Sequence, residues 1–530
     1  MKGKTLLSIL LAVVLLVTAL PATLGSASAA ADATTLIVLV SWPITTLDPA
    51  VNYETAGGPF LGAVYDPLVK AVGTSKVEIV PWLAESWTKS DDGMAYTFKL
   101  RPGVKFHDGT PLNAEAVKFS FDRMFAMNAG AVANFNTVID NIEVVDDLTV
   151  RFNLKFAFSS FLVSLTSLWG PTVVSPTTVK AHEVEGDWAA AWMAENEAGS
   201  GPYKLESYTR NQEFVLVRNP DYWGGWGDKY LERIVVRFVS ESTTQRLMIE
   251  KGDADIAIGM STEDLDALME VAGVQVPEYN AQTIYEIRIN TTREPLNNVK
   301  VRQALSYTFD YDQAVQGVRS GHAIRMTSVM AEGLGGYYKP SFLYTKDLDK
   351  ARQLLAEAGY PDGGFTLQFV WIQGDETGRR LGEMWQADLK QVGIDLNIVE
   401  MPLATWWEAQ ASPDTAPDTM MGQWTQDYPD ATMQLWAMYY SGNFPPAGSN
   451  YYFYKNEAVD KALEQARVEQ DDAKRDALYQ QAVEQIYSDA PEIWVFQPTE
   501  RVAMRDNVKG YEYNFAYSYW YFDYSKMYKE

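Results

Sequence analysis

The stretch that decides the fold is residues 79–124, IVPWLAESWTKSDDGMAYTFKLRPGVKFHDGTPLNAEAVKFSFDRM. Within it, Tyr96, Phe98 and Leu100 alternate with polar residues. This period of two predicts a β-strand with one buried face. The segment KFHDGTP that follows predicts a turn. The stretch is thus ordinary structure, strand and then turn, with no recognisable catalytic signature inside it.

The sequence on both sides of this stretch mixes strand and helix patterns. Apolar and β-branched runs predict further strands at residues 36–40 (LIVLV), 150–156 and 233–239 (RIVVRFV). Apolar residues at helical spacing predict helices at residues 349–358, 381–392 and 458–488. Because the two patterns are mixed along a chain of 530 residues, we expect an α/β fold with more than one structural unit.

The first 31 residues have the pattern of a signal peptide. Lys2 and Lys4 precede an apolar run over residues 6–20, Pro21 breaks the run, and small residues follow at 27–31. The run is short for a membrane span, so a cleaved signal is expected over an uncleaved anchor. The chain has no cysteine, hence no lipid-anchor cysteine, and we expect an exported protein of the periplasm or the extracellular space.

Composition narrows the possible partners. The net charge of −25 repels phosphate backbones, so no nucleic-acid partner is expected. The chain holds 16 Trp and 30 Tyr, the side chains that grip ligands through broad faces, although a large fold also packs many aromatics in its core.

Motifs for chemistry are missing from the sequence. It contains neither a GxxxxGK[ST] phosphate loop nor a GxSxG elbow, and its three histidines are far apart at His107, His182 and His322. We therefore expect a protein that is not an enzyme and that uses no cofactor and no metal. A secreted hydrolase remains the alternative from another class, because acids are plentiful and their spacing in space cannot be read from sequence.

Residues 79–124 strongly resemble the hallmark of family 5 extracellular solute-binding proteins, the peptide, nickel and oligosaccharide binders of ABC importers. The resemblance lies in a P-x-L-A-x-x-W turn, a strand and an L-R-x-G-V-K-F-x-D-G-x-P segment. Further segments match in the family's order: residues 47–50 (LDPA), 65–66 (YD), 199–203 (GSGPY), 218–223 (RNPDYW), 252–256 (GDADI), 290–305, 427–430 (DYPD) and 490–491 (AP).

The resemblance implies a two-lobed periplasmic-binding-protein-like fold of type II, the large variant with an additional domain and a ligand cleft between the lobes. It places residues 32–75, 199–285 and 490–530 in the core of lobe I, 76–198 in an extension domain of that lobe, and 286–489 in lobe II. Crossing strands would act as the hinge, and closure would bury the ligand.

The resemblance also suggests ligand-binding residues. Peptide-binding relatives carry a Trp and an Asp at the position of Trp424 and Asp427, and their Asp pairs with the ligand's α-amino group; Asp427 could instead only cap a turn before Tyr428. The other candidates for the cleft wall are Trp406, Trp407, Tyr285, Asn290 and Trp42. Of the two adjacent tryptophans, one is expected to face the cleft and the other to pack.

One departure from the family's pattern bears on the ligand. Dipeptide-selective relatives carry an Arg for the ligand carboxylate where this chain has residues 371–373 (WIQ), and Arg379 and Arg380 are expected to face solvent. We therefore expect a monomeric component of an ABC importer that captures oligopeptides and delivers them to the permease subunits. Oligosaccharides are the alternative small-molecule ligand, and nickel chelates rank below them.

Overall fold

The computed structural model describes residues 34–530. The predicted signal peptide at residues 1–31 lies outside the described residues. Within the described range, no helix has both the length and the apolar character needed to cross a membrane.

The strands of the described chain are β1 (Thr35–Val40), β2 (Val69–Val72), β3 (Glu78–Pro81), β4 (Ala84–Lys89), β5 (Ala95–Leu100), β6 (Ile139–Asp146), β7 (Thr149–Leu154), β8 (Tyr203–Thr209), β9 (Glu213–Arg218), β10 (Arg233–Phe238), β11 (Ile256–Ile258), β12 (Val274–Gln275), β13 (Glu278–Asn280), β14 (Ile284–Ile289), β15 (Ala323–Arg325), β16 (Thr366–Ile372), β17 (Asp395–Met401), β18 (Thr419–Trp424), β19 (Glu492–Arg501), β20 (Ala503–Arg505), β21 (Val508–Lys509) and β22 (Tyr528–Lys529).

The helices are α1 (Gly58–Val64), α2 (Ala114–Met127), α3 (Ala133–Asn136), α4 (Phe161–Ser164), α5 (Pro176–His182), α6 (Ala190–Met193), α7 (Ser242–Lys251), α8 (Thr262–Met269), α9 (Val299–Thr308), α10 (Tyr311–Gln313), α11 (Leu348–Glu357), α12 (Glu376–Lys390), α13 (Leu403–Ala409), α14 (Ala431–Tyr439), α15 (Glu457–Val468) and α16 (Asp472–Asp489). The strands and helices predicted from the sequence patterns are all present, with small shifts at their ends.

The first lobe is built on a seven-stranded sheet in the order β12-β20-β11-β1-β10-β9-β8. β1 lies in the middle and pairs in parallel with β10 and β11. Strands in this position are covered on both faces, which explains why residues 36–40 are an uninterrupted apolar run. The core of this lobe includes Leu36, Val38, Ile234, Val236, Ile256 and Ile258.

The second lobe is built on a second sheet in the order β13-β19-β14-β18-β16-β17, with β15 also paired to β19. The helices α9, α11, α12 and α16 pack into the same core, which includes Leu305, Leu355, Trp385, Leu389, Ile486 and Val495. The sequence assigned residues 199–285 and 490–530 to the first lobe, but the second sheet contains β13, the start of β14, and β19, which pairs with both of them. The chain returns to the first lobe only at β20, because β19 supplies the backbone partners that one edge of β14 requires.

Two adjacent segments connect the two sheets. One runs from β12 to β13 and the other from β19 to β20. They lie side by side because β12 pairs with β20 in the first sheet and β13 pairs with β19 in the second, both antiparallel. The backbone N–H of Val502 donates to the carbonyl of Pro277 at 3.3 Å, so the two connections also touch each other. Such a pair of short crossings is the arrangement about which two lobes can close.

The extension domain is the four-stranded antiparallel sheet β4-β5-β7-β6 with α2 packed on it. In β5, Tyr96, Phe98 and Leu100 are buried as the sequence predicts. Arg123 of α2 joins this domain to the first lobe, because both of its terminal nitrogens donate to the carboxylate of Asp48, at 2.8 and 2.6 Å.

Candidate functional site

A cavity of about 580 Å³ lies between the two lobes and next to their connections. This volume is in the range of roughly 300–1,000 Å³ that small-molecule sites occupy. The first lobe contributes Trp42, Thr55, Tyr519, Trp520 and the segment 259–263; the second lobe contributes Thr283, Tyr285, residues 318–320, His322, Glu376, Thr377, Arg380, Gln423 and Thr425; residues 498–501 of β19 close one side.

Strand pairing explains which residues of the second lobe reach the cavity. Tyr285 of β14 is the register partner of Gln423 of β18, and both line the cavity. Side chains alternate along a strand, so the neighbouring Trp424 lies on the other face. There Trp424 packs on the core of the second lobe and donates its indole N–H to Gln426 at 2.8 Å.

The first lobe presents an aromatic surface to the cavity. The rings of Trp42 and Trp520 meet edge to face with centroids 5.3 Å apart, and the ring of Tyr519 lies 4.1 Å from that of Trp520. Gly259 makes room for Trp42, because a Cβ there would lie 2.5 Å from the indole ring. Trp42 remains 44% exposed, so its ring is open to a ligand in the cavity.

Two arginines of the second lobe line the opposite wall. Arg319 follows a π-helical turn at Ala314–Val318, and its guanidinium lies 5.9 Å from the centre of the Phe496 ring. Arg380 lies in α12 and donates to the carbonyl of Gly317 at 2.6 Å. The sequence predicted that Arg380 faces solvent, but it is half-buried on the cavity wall. Neighbouring residues of a helix point about 100° apart, so Arg379 faces outward while Arg380 faces the cavity.

A buried carboxyl group, Glu500, lies where the cavity meets the lobe connections. It accepts hydrogen bonds from the hydroxyl of Ser518, from Tyr513 at 2.9 Å and from the backbone N–H of Tyr519 at 2.9 Å. Burial outweighs these bonds and raises the pKa of Glu500 to about 7.

Asp427 does not line this cavity and lies instead where the two lobes and the extension domain meet. Its Oδ2 accepts a hydrogen bond from the hydroxyl of Tyr53 at 2.8 Å and from the side-chain amide of Asn134 at 2.6 Å. Burial raises the pKa of Asp427 to about 6, although the two hydrogen bonds act in the opposite direction. The next residue, Tyr428, is also buried.

The remaining predicted residues lie outside the cavity. Trp406 is buried against Val370 and Met420, beneath the guanidinium of Arg288. Trp407 is 50% exposed and contacts the ring of Tyr451.

Asn290 is buried away from the cavity. Its amide donates to the carbonyl of Pro413 at 2.9 Å and its side-chain oxygen accepts from Thr292. These hydrogen bonds give Asn290 a structural role. Of the eight predicted residues, the structure therefore places only Trp42 and Tyr285 on the cavity wall.

Sequence reasoning missed Arg319, Arg380, Glu500 and Trp520 as wall residues. They come from distant parts of the chain and carry no shared motif. The aromatic density of residues 511–528 (YEYNFAYSYWYFDYSKMY) is the one signal that pointed to Trp520.

Metal-binding groups are not gathered anywhere in residues 34–530, where no three His, Asp or Glu side chains are arranged to hold an ion. His107 illustrates how the histidines are used: one ring nitrogen lies 2.8 Å from Glu197 and the other 2.9 Å from the carbonyl of Gly201. Both ring nitrogens are therefore occupied inside the protein.

Comparison with known proteins gives a family. Residues 78–446 match the model described as bacterial extracellular solute-binding proteins, family 5 Middle. The probable D,D-dipeptide-binding periplasmic protein DdpA of Escherichia coli K12 is 32% identical over 472 residues, which cover 88% of this chain and 89% of that protein.

A second curated relative and a solved structure agree with this match. The glutathione-binding protein GsiB of Escherichia coli K12 is 30% identical over 92% of this chain and 94% of its own length. The ABC transporter-associated periplasmic binding protein DppA of Helicobacter pylori, solved in complex with the peptide STSA, superposes with a TM-score of 0.77 at 26% identity, covering 94% of this chain and 98% of that one.

Proposed function

Since the chain belongs to family 5 of the bacterial extracellular solute-binding proteins, we propose that it captures short peptides between its two lobes and delivers them to the permease of an ABC importer. The observation that carries this proposal is the cavity of about 580 Å³ between two sheets that only short connections join. The volume suits a peptide of a few residues, and closure about the connections would remove it from water.

The chemistry of the cavity suits a peptide. A peptide offers an ammonium group, a carboxylate and a polar backbone, and the walls offer Arg319 and Arg380 together with the polar side chains of Thr283, Gln423 and Thr425. A ligand ammonium would pair with Asp427 if it displaced Tyr53 and Asn134 from that carboxylate. The relatives DdpA, GsiB and DppA carry dipeptide, glutathione or peptide in their names or titles, which supports the same class here.

The proposal includes export, a monomeric state and release of the ligand unchanged. Delivery to a permease requires the protein to act outside the cytoplasmic membrane, in keeping with the extracellular family to which it belongs. No step of the proposal alters the ligand, so no catalytic group is needed.

Oligosaccharides are the second candidate ligand, because the Trp42–Trp520–Tyr519 surface offers aromatic faces to a sugar ring. Both candidates can be tested on one preparation. Protein purified from its native source is denatured, the released small molecules are identified by mass spectrometry, and the refolded protein is titrated with peptide pools and with glucan and xylan fragments while tryptophan fluorescence is recorded.

We expect peptides in the released fraction and a fluorescence change with peptide pools only. Sugars in the released fraction would replace the peptide proposal by its alternative. Peptides that are recovered cleaved after long incubation with the protein would overturn the non-enzymatic part and favour a secreted hydrolase.

A further inference from the structure

The charges of the cavity wall are divided between those that have partners and those that have none. Arg501 is paired with Asp266 at 2.7 Å, and Glu376 is paired with Arg379 at 2.7 Å. Glu500 accepts three hydrogen bonds from residues 513–519, which follow β20 in the first lobe. These groups are already neutralised or bonded inside the chain.

Arg319 and Arg380 differ from them. Within residues 34–530 neither guanidinium forms an ion pair, and the buried Nε of Arg319 has no hydrogen-bond partner. Arg319's acidic neighbour Asp375 caps the start of α12, where its Oδ1 accepts from the backbone N–H of Thr377 at 3.0 Å. Arg380 bonds only a backbone carbonyl.

Two guanidiniums without an ion pair on one wall of a cavity lower the stability of the fold, and they are unexpected in a chain with more acidic than basic residues. The chain has 69 acidic and 44 basic residues, so there are enough carboxylates to give each arginine a partner within the chain. A half-buried guanidinium with free N–H donors is best satisfied by a carboxylate, which matches its planar fork. The opposite wall supplies aromatic faces and a single unpaired acid, Glu263 at the start of α8.

We propose that this cavity selects acidic peptides, with one ligand carboxylate bound by Arg319 and a second by Arg380. The proposal rests on the proposed function, since it names the class of peptide that the same cavity takes. The ligand thereby supplies the two negative charges that the fold leaves out of this wall. A peptide with a C-terminal carboxylate and an acidic side chain meets the requirement.

The test starts from protein freed of ligand by denaturation and refolding. It is incubated with an equimolar pool of di- to tetrapeptides in which glutamate and glutamine are equally represented at every position, and the retained peptides are identified by mass spectrometry. The best retained glutamate peptide and its glutamine counterpart are then titrated calorimetrically against the wild-type protein, Arg319→Gln, Arg380→Gln and the control Arg352→Gln. Arg352 is an exposed residue of α11 that pairs with Asp349 outside the cavity.

We expect glutamate peptides to be enriched and to bind about tenfold or more tightly than their glutamine counterparts. Arg319→Gln or Arg380→Gln should remove most of that difference, and Arg352→Gln should retain it. Higher salt should weaken the binding of the glutamate peptide more than that of its counterpart.

Equal retention of glutamate and glutamine peptides, or an unchanged preference in both cavity variants, overturns the acidic-peptide proposal while leaving peptide binding intact. If no peptide is retained by the folded protein, the proposed function fails first. The charge of the compound released from the native protein then decides the inference: a neutral compound overturns it, and an anionic compound whose binding the two cavity variants weaken supports an anion-selective wall.

Discussion

Two arginines of this protein, Arg123 and Arg319, differ in whether the surrounding residues provide hydrogen-bond partners for the guanidinium. Arg123 is almost fully buried, its terminal nitrogens bind both oxygens of Asp48, and its Nε donates to the carbonyl of Trp188 at 2.9 Å. Arg319 stands over the ring of Phe496 and bonds to nothing through its side chain in the described part of the chain. The hydrogen-bond donors of Arg123 are therefore used within the chain, whereas those of Arg319 are left for a ligand.

The difference teaches how to separate structural charges from recognition charges. A buried charge that the chain satisfies itself holds domains together, as Arg123 and Asp48 hold the extension domain to the first lobe. A charge left unsatisfied at a cavity awaits something from outside the chain. Sequence alone marks neither, because the two residues are the same amino acid.

The largest expected effect is on stability and comes from removing the ion pair between Arg123 and Asp48. Replacing Arg123 by Ala leaves the carboxylate of Asp48 buried without its partner, so the free energy of unfolding should fall by about 3–5 kcal/mol. Chemical denaturation followed by circular dichroism measures it. Arg319→Ala is the matched control and should change the same quantity by less than about 0.5 kcal/mol, as expected of a group with no hydrogen bond or ion pair to lose. Equal losses in the two variants would contradict the comparison.

The next effect concerns Asp427, which has partners but could exchange them for a ligand. Asp427→Ala should weaken binding of a peptide with a free amino terminus by about 2–5 kcal/mol, since the ligand ammonium loses its carboxylate. Calorimetric titration measures it. Asp427→Asn, which can still accept a hydrogen bond from Tyr53, should lose nearly as much because the charge is gone. Unchanged affinity in both variants would leave Asp427 as a residue of a turn only.

A third effect sharpens the role of Asp427 through pH. Its pKa is raised from 3.8 to about 6, so the folded protein binds more protons than the unfolded chain in this window, and its stability without ligand should fall as pH rises from about 4 to about 6. Peptide binding has the opposite sign, because an ammonium pairs with the ionised carboxylate. Affinity should therefore fall up to about tenfold per pH unit below pH 6.

The controls for this pH dependence separate Asp427 from other groups. A peptide that has glutamine in place of glutamate and is acetylated at its amino terminus should bind without this pH dependence. Asp427→Asn should flatten the profile, whereas Glu500→Gln, at the carboxyl group of raised pKa on the cavity wall, should leave it in place. A wild-type profile that is flat between pH 5 and 7 would rule out the ammonium–Asp427 pair.

The smallest expected effect compares two half-exposed tryptophans. Trp42 lines the cavity and is 44% exposed, whereas Trp407 lies outside it and is 50% exposed. Trp42→Phe should remove most of the ligand-induced change in fluorescence and cost about 0.5–1.5 kcal/mol of binding. Trp407→Phe should change neither; if it is Trp407 that carries the fluorescence response, the ligand occupies a different part of the molecule.

Much of the fold could be predicted from the sequence because local patterns carry it. The alternation in residues 95–100 and the apolar run in residues 36–40 predict their strands, and the ordered segments from 47 to 491 predict the family. The placement of β19 was not predictable in this way. Its residues are apolar enough for either sheet, and only the free backbone groups of β14 decide which one it joins.

The candidate site was predicted only in part, for a related reason. Trp42 follows the strand that the apolar run of residues 36–40 predicts, and Tyr285 was suggested by the family resemblance; both reach the cavity. Trp406 and Asn290 were plausible ligand-binding residues by position. In the structure Trp406 packs in the core, and Asn290 donates a hydrogen bond to a loop. Arg380 could be located in a helix from sequence, but its direction depends on how α12 packs, which no local signal records.

The sequence by itself determined the α/β character of this protein, its family and the absence of the usual catalytic motifs, since these depend on residue type and order along the chain. Only the tertiary structure decided which charges meet a partner. Arg123 and Arg319 look alike in a sequence, and the difference between them arises because pairing depends on what lies within a few ångströms in space, often from distant parts of the chain.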